Sequence, residues 1–220
     1  MPVKIVLDNE QINKQEALWK KSPRDLTDED YLEFYRYLYP FQEDPLLWVH
    51  LNTDYPFLLN GILYFPKLKP DVDFSKGQIQ LYWNQVFVSK HCEAIIPEFL
   101  KPLQGVIDSP NIHLNVSRSA LTNDRTVRRI SDFITKKIGS RLKSLYDEDR
   151  SKYISSWSDV GTIVKYGAIR DEKFKKQVED LIIYRTTYQP DGSTAAETPQ
   201  VEEQSAGDDA WSRVEADQDT

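Results

Sequence analysis

The spacing of apolar residues changes near residue 124, and this change restricts the fold to a mixed one. Upstream, Leu47, Val49 and Leu51 occupy every second position, which is the period of a strand with two distinct faces. Downstream, apolar residues recur every three or four positions, as on one face of an amphipathic helix. These residues are Val127, Ile130, Phe133, Ile134, Ile138, Leu142 and Leu145. The sequence therefore predicts an α+β fold in which a small sheet precedes a helical part.

Local signals predict the remaining elements. Good helix formers from Gln11 to Lys21 predict a first helix, and Thr27 is placed to cap a second one that Pro40 ends. Asn123 or Asp124 is a suitable cap for the helix that carries the apolar face. Strands are predicted at 46–54, 58–65, 78–88 and 105–108, helices at 97–101, 158–164 and 171–183, and a long loop at 109–123.

The net charge of −7 comes from one end of the chain. Residues 187–220 hold nine of the 35 acids and one of the 28 bases, so that segment carries −8 and residues 1–186 carry +1. The segment has too few apolar side chains to offset the entropy cost of ordering its backbone. We therefore predict a disordered acidic linker or tail at 187–220, after an α/β part at 1–123 and a helical part at 124–186.

Several classes of protein are excluded by what the sequence lacks. A single cysteine rules out a disulfide scaffold. The sequence has no apolar run of about 18 residues and no signal peptide. We therefore expect a cytoplasmic protein with no membrane partner. The three histidines, His50, His91 and His113, show no ligand spacing, so no metal site is predicted. Neither glycine-rich phosphate-binding motif occurs, so no nucleotide site is predicted in this chain.

The stretch from Leu114 to Leu145 is strongly basic, with eight bases against two acids. The bases are Arg118, Arg125, Arg128, Arg129, Lys136, Lys137, Arg141 and Lys143. They fit the solvated face of a helix, or an anion site in which Arg118 and the helix N-terminus face a phosphate. They also fit a nucleic-acid-binding surface, although the near-neutral charge of residues 1–186 argues against it.

Trp19 is a large aromatic residue in a polar context, beside Lys20 and Lys21. Such a residue is either part of a core, which is the commoner case, or an anchor that contacts another polypeptide. The sequence leaves both interpretations open.

Four segments of the chain strongly resemble the middle segment of the ninety-kilodalton heat-shock chaperones. The segments are Trp48–Pro56, Gly105–Ser109, Leu114–Arg118 and Asn123–Arg129. The resemblance extends over residues 8–186, in order, and is closest to the bacterial branch, high-temperature protein G, with its cyanobacterial members as the expected type.

This resemblance implies an α/β sandwich of the ribosomal-protein-S5-domain-2-like type, followed by a helical coil. It also implies a chain truncated at both ends. Family members carry an N-terminal domain that binds ATP with Mg, a second small α/β piece of the middle segment, and a C-terminal dimerisation domain. The expected partners are therefore these domains and unfolded or partly folded client proteins.

The resemblance assigns roles to residues of the long loop. Arg118 matches the catalytic-loop arginine that reaches the γ-phosphate of ATP held by the N-terminal domain, where an arginine neutralises charge that develops in phosphoryl transfer. The family's loop glutamine aligns with Thr122, which is shorter and has no amide. Asn115 and Ser117 resemble loop-shaping neighbours, and Phe87 matches an apolar residue that packs behind the loop.

The resemblance also suggests where clients bind. Trp19 matches a tryptophan implicated in client contact, and Val72 and Phe74 lie where many members expose two bulky apolar residues. The implied function is ATP-dependent protein folding in the stress response, with no ATPase activity in this chain alone. An alternative, based on the basic helix 124–145, is a module that binds nucleic acid or another anionic partner; we expect no specific nucleic acid.

Overall fold

A computed structural model describes residues 6–8, 10–11, 16–68, 78–89, 95–112, 125–184 and 186–187. Residues 1–184 form one compact unit, and residues 185–220 form a second, of which only 186–187 are described. The strands are β1 (Val6–Leu7), β2 (Glu10–Gln11), β3 (Leu47–Thr53), β4 (Leu59–Phe65), β5 (Gln78–Trp83), β6 (Val86–Ser89) and β7 (Gln104–Asp108). The α-helices are α1 (Asp28–Leu38), α2 (Arg125–Glu148), α3 (Arg150–Ser155), α4 (Trp157–Arg170) and α5 (Glu172–Val178).

Five of the described strands form the main sheet, in the order β3-β4-β7-β5-β6. β3 pairs antiparallel with β4, and β4 pairs antiparallel with β7. β7 then lies parallel to β5, which forms an antiparallel hairpin with β6. The strand that leads into the loop carrying Arg118 is therefore the central strand of the sheet.

The central strands bury both of their faces. In β4, Leu59, Leu63 and Phe65 belong to a large apolar core shared with the helices α2 to α5. Ile62 and Tyr64 belong to a smaller core on the other face. Alternating side chains point to opposite faces of a strand, so one strand can serve two cores. The helices therefore cover both faces of the sheet, which confirms the predicted α+β sandwich with a helical part.

Helix α1 covers one face with aromatic side chains. Its N-terminus is closed by a capping box, in which the Thr27 hydroxyl accepts from the Asp30 amide and the Asp30 carboxylate accepts from the Thr27 amide at 2.7 Å. Tyr35 is fully buried and its hydroxyl donates to Gln104 Oε1 at 2.7 Å. Burial raises the pKa of Tyr35 to about 12, so the hydroxyl keeps its proton at neutral pH. The predicted cap at Thr27 and the helix that follows it are confirmed.

The other face is covered by the helical part. The predicted apolar face of α2 is buried at Val127, Ile130, Ile134, Ile138, Leu142 and Leu145. Phe133, also predicted for this face, is partly buried and packs against the large core. The alternation predicted for β3 is likewise confirmed, since Leu47, Val49 and Leu51 are buried. The predicted cap at Asn123 or Asp124 and the tail from residue 188 lie outside the described residues.

Several predicted elements were wrong in detail. The predicted helix from Gln11 to Lys21 is wrong where the structure describes it, because Gln11 ends β2 and, of the described residues 16–21, only Leu18–Lys20 form a short 3-10 helix. A helix this short and isolated gains little from propensity alone, so tertiary contacts decide its conformation. The predicted strand 78–88 is a hairpin that turns at Asn84 and Gln85. The helix predicted at 158–164 is the longer α4, and α3 was not predicted.

Candidate functional site

The described residues lie on both sides of the loop that was predicted to carry the chemistry. Arg118, Asn115, Ser117 and Thr122 themselves lie outside the described residues, as do Val72 and Phe74 of the predicted client surface. Of the predicted site residues, the structure describes Trp19 and Phe87. It also describes β7 up to Ile112 before the loop and α2 from Arg125 after it.

The last residue of β7, Asp108, is held by hydrogen bonds from two separate segments. Asp108 is only 2% exposed. Its Oδ2 atom accepts hydrogen bonds from Trp19 Nε1 at 3.0 Å and from the Gln85 backbone amide at 3.0 Å. A buried carboxylate is tolerated when donors replace its lost hydration, and hydrogen bonds to a charged acceptor are among the stronger ones. Asp108 therefore ties the start of the loop to the Trp19 segment and to the β5–β6 turn.

The next residues tie the chain to the β3–β4 connection. Ser109 is fully buried; its hydroxyl donates to the Leu58 carbonyl oxygen at 2.6 Å and its amide donates to the Tyr82 carbonyl oxygen at 3.2 Å. Asn111 accepts from the Leu58 amide at 2.8 Å through Oδ1. On the other side, Trp83 Nε1 donates to the Pro110 carbonyl oxygen at 3.2 Å. We call residues 108–112 with these contacts the loop base.

The β5–β6 turn is built from two left-handed residues. Asn84 has φ 48° and Gln85 has φ 66°, a conformation that suits the twist of a two-residue hairpin but is uncommon outside glycine. Asparagine tolerates it well, and glutamine less so. The amide of Gln85 is the donor to Asp108, so the strained turn is also one of the supports of the loop base.

At two positions between β4 and β7 the backbones leave no room for a Cβ, and both positions are glycine. Gly105 has φ 130°, and a Cβ there would overlap the Ile62 carbonyl oxygen. A Cβ at Gly61 would lie 2.5 Å from the Val106 carbonyl oxygen. Only glycine fits such positions, which gives a physical reason for the glycine of the Gly105–Ser109 segment.

Trp19 lies inside the smaller core. It is 7% exposed, and its ring lies 4.8 Å from the Tyr82 ring centroid and 5.7 Å from that of Phe34. Its carbonyl oxygen contacts His50 Nε2 at 3.3 Å. The indole therefore lies in a core, which is one of the two interpretations that the sequence left open.

Phe87 lies on β6, at the edge of the sheet, and is 46% exposed. Its ring packs edge-on against Tyr82 at 5.7 Å between centroids. Trp83 and Val86 beside it are also exposed, so the hairpin presents apolar side chains next to the loop base. Whether Phe87 packs behind the loop depends on residues outside the described ranges, so that role stays a prediction.

The start of α2 makes the other end of the loop positive. Arg125, Arg128 and Arg129 are exposed in its first turns, and no acid lies in the first turn. Further along, Lys137 lies 5.5 Å from the Phe133 ring, and Asp132 pairs with Lys173 at 3.0 Å. The basic residues within α2 therefore lie on its solvent side, and an anion near this helix start would meet positive charge.

The described ranges contain no group of three His, Cys, Asp or Glu side chains arranged to hold a metal ion. None of the described helices is both long and apolar enough to cross a membrane.

Asp108 was not among the predicted site residues, although its position in the sequence carries one signal. An acidic residue that directly follows the apolar run of a buried strand needs donors, and those donors come from distant parts of the chain.

Comparison with known proteins agrees with this fold. The sequence model of the Hsp90 protein family matches residues 3–203. The chaperone protein HtpG of Porphyromonas gingivalis is 49% identical over 177 residues, which cover 80% of this chain and 26% of that protein. HtpG of Bacteroides fragilis is 48% identical over 176 residues, with the same coverage. The chain thus spans about a quarter of the length of these relatives.

A solved structure agrees at the level of the fold. The middle domain of a Plasmodium falciparum heat shock protein superposes with a TM-score of 0.64 at 27% identity, covering 76% of this chain and 66% of that one. The fold is that of a heat-shock-protein middle domain. This chain belongs to the Hsp90 family and corresponds to its middle domain. The cyanobacterial type stays a prediction.

Proposed function

We propose that this chain acts as the middle part of an ATP-dependent chaperone and supplies Arg118 to an ATPase site on the N-terminal domain. One observation carries the proposal. Asp108 and Ser109 of the loop base are buried, and their side chains are hydrogen-bonded to three other segments, so the chain continues toward Arg118 from a fixed point of the central strand. A fixed starting point suits an arginine that must meet a phosphate in a defined position.

The chemistry assigned to Arg118 is the neutralisation of charge on the γ-phosphate. ATP and its Mg ion would be held by the N-terminal domain, and this chain would add the planar guanidinium, which donates in a fork geometry. The positive end of α2, with Arg125 and Arg129 exposed, favours the approach of the same anion. With Thr122 in place of the family's glutamine, Arg118 is the loop side chain to which we assign the phosphate contact.

Hydrolysis measured in trans tests this assignment. The chain is added to the separate N-terminal ATPase domain of a chaperone of this family, and phosphate release is followed. We expect the wild-type chain to raise the rate and Arg118→Ala to abolish the rise, since such an arginine is worth about 10³-fold in related phosphoryl transfers. Arg150→Ala, on the helical part, is the matched control and should keep the rise. An unchanged rate with Arg118→Ala would refute the assignment.

The client surface is a second part of the proposal. We assign to it Val72 and Phe74, where acids separate the apolar side chains, and the segment around Trp19. Because the Trp19 indole is buried, it would shape the exposed surface at Lys20 and Lys21 rather than offer its own ring to a client. Affinity for an unfolded client should fall with Phe74→Ala; unchanged affinity would remove this loop from the client surface.

The remaining partners follow from the same proposal. They are the N-terminal ATPase domain, the C-terminal dimerisation domain and unfolded or partly folded clients, in the cytoplasm. The exposed arginines of α2 support one alternative, a module that binds nucleic acid or another anionic partner. A salt titration of duplex DNA binding separates the two, because several phosphate contacts would make the affinity fall steeply with salt. We expect weak binding without sequence preference, or none.

A further inference from the structure

We infer that Asp108 is a positioning residue for the loop that carries Arg118, and that Trp19 acts on this loop by donating its indole N–H to Asp108. The inference rests on the proposed role of Arg118. Through this hydrogen bond, the buried Trp19 would influence the ATPase site without any contact between its ring and a client.

The first step is the hydrogen bonding of the Asp108 carboxylate. Among the described residues, the donors to its Oδ2 atom are Trp19 Nε1 and the Gln85 amide, each at 3.0 Å. Because Asp108 is only 2% exposed, a water molecule cannot readily take the place of either donor. Losing the Trp19 donor therefore leaves the buried Asp108 carboxylate without one of its donors, which favours a shift of the strand end toward another partner.

The second step is that the strand end is continuous with the loop. Asp108 is followed directly by Ser109, which is bonded to Leu58 and Tyr82, and by Pro110, which is bonded to Trp83. A displacement at Asp108 is thus transmitted to the chain that leads to Arg118. Misplacing a reacting group by about 1 Å costs about 10²-fold in rate, so a small displacement is enough to matter.

The third step is that the donor can be removed while the aromatic packing stays. Trp19→Phe keeps an aromatic ring against Tyr82 and Phe34 and deletes the N–H. Asp108→Asn keeps an oxygen in place to accept and deletes the charge, whereas Asp108→Ala removes the acceptor altogether. This series separates the hydrogen bond from the bulk of either side chain.

The experiment uses the full 220-residue chain in the trans hydrolysis assay, with amide exchange measured on the same samples. We expect Trp19→Phe to lower the maximal stimulated rate about tenfold, within the range for misplaced catalytic groups, while the chain concentration for half-stimulation stays unchanged. The amides of Gln85 and Ser109 should exchange faster, and those in the middle of α2 should not. Asp108→Asn should retain more activity than Asp108→Ala. Trp157→Phe, in the helical part, should change none of these quantities.

The outcomes separate this inference from the proposed function. If the wild-type chain fails to stimulate hydrolysis, or Arg118→Ala stimulates as well as wild type, the proposed function fails, and the inference, which rests on that role, falls with it. If Arg118→Ala abolishes stimulation but folded Trp19→Phe keeps the full rate, the inference alone is overturned. Faster exchange throughout the chain would show a general loss of stability and would also overturn it. If Asp108→Ala does not fold, the Trp19→Phe and Asp108→Asn variants still test the inference.

Discussion

The hydroxyl of Tyr39 accepts a hydrogen bond from the Gly105 amide at 2.8 Å. The same hydroxyl donates to the Gln78 carbonyl oxygen at 2.6 Å. Tyr39 directly follows α1, while Gly105 and Gln78 lie on the neighbouring parallel strands β7 and β5. One phenol oxygen thus joins the end of a helix to the start of the two strands that support the loop base.

Replacing Tyr39 by Phe should lower the free energy of unfolding by about 1–3 kcal/mol, because the Gly105 amide then lacks its acceptor in a partly buried position. Urea unfolding of the whole chain measures this. Tyr55→Phe is the matched control, since Tyr55 is 85% exposed and should change stability little. Equal stability of Tyr39→Phe and wild type would contradict a structural role for the bridge.

Gly105→Ala should be more damaging, costing about 3 kcal/mol or more from a strained φ together with overlap against the Ile62 carbonyl oxygen. The measurement is again the midpoint of denaturant unfolding. Gly139→Ala serves as a control, because its new Cβ would meet the end of the flexible Gln177 side chain and alanine is favoured in a helix. If the two variants lost the same free energy of unfolding, the overlap of a Cβ with the Ile62 carbonyl oxygen would not be the reason that position 105 needs glycine.

Gln85→Gly should stabilise the chain by up to about 1 kcal/mol, because glycine adopts the left-handed conformation of this turn without a side-chain penalty. The amide that donates to Asp108 is kept, so the loop base should be unaffected. Thermal unfolding measures the gain. A loss of stability would mean that the glutamine side chain itself supports the hairpin.

His50 should make the stability depend on pH. Burial lowers the pKa of His50 below its ordinary value of 6.5, and the hydrogen bond with the Trp19 carbonyl offsets this only in part. Nδ1 lies 2.8 Å from the Tyr31 hydroxyl, which suits a neutral ring that accepts there and donates through Nε2. Between the lowered pKa and 6.5 the folded state binds fewer protons than the unfolded state, so stability rises with pH and is lost as pH falls.

Two measurements check this expectation. The ring protons of His50 should titrate with a midpoint below 6.5 in an NMR titration. The variant His50→Gln should show a shallower loss of stability as the pH is lowered through the same window, since glutamine does not titrate. A midpoint at or above 6.5 would show that the ring is not held in its neutral form.

Elements with a strong local signal could be predicted from the sequence. Thr27 with Asp30 predicted a helix start that the structure closes with a capping box, and the apolar residues of α2 predicted its buried face. The hairpin at Asn84 and Gln85 could not be predicted, because no glycine marks it and apolar residues continue on both sides. For the site, the resemblance predicted a role for Arg118, which stays a prediction, whereas the hydrogen bonds that Asp108 accepts from Trp19 and Gln85 were not predicted.

The sequence by itself determined the fold class, the acidic segment at 187–220 and the family, because periodicity, charge and motifs are local properties of the chain. Tertiary structure decided that β7 is central, that Trp19 is buried, and that Asp108 is its partner 89 positions away. Partners this distant in sequence leave no local pattern. A buried carboxylate needs donors, but only the packing of the 3-10 segment and the β5–β6 turn against β7 selects which groups supply them.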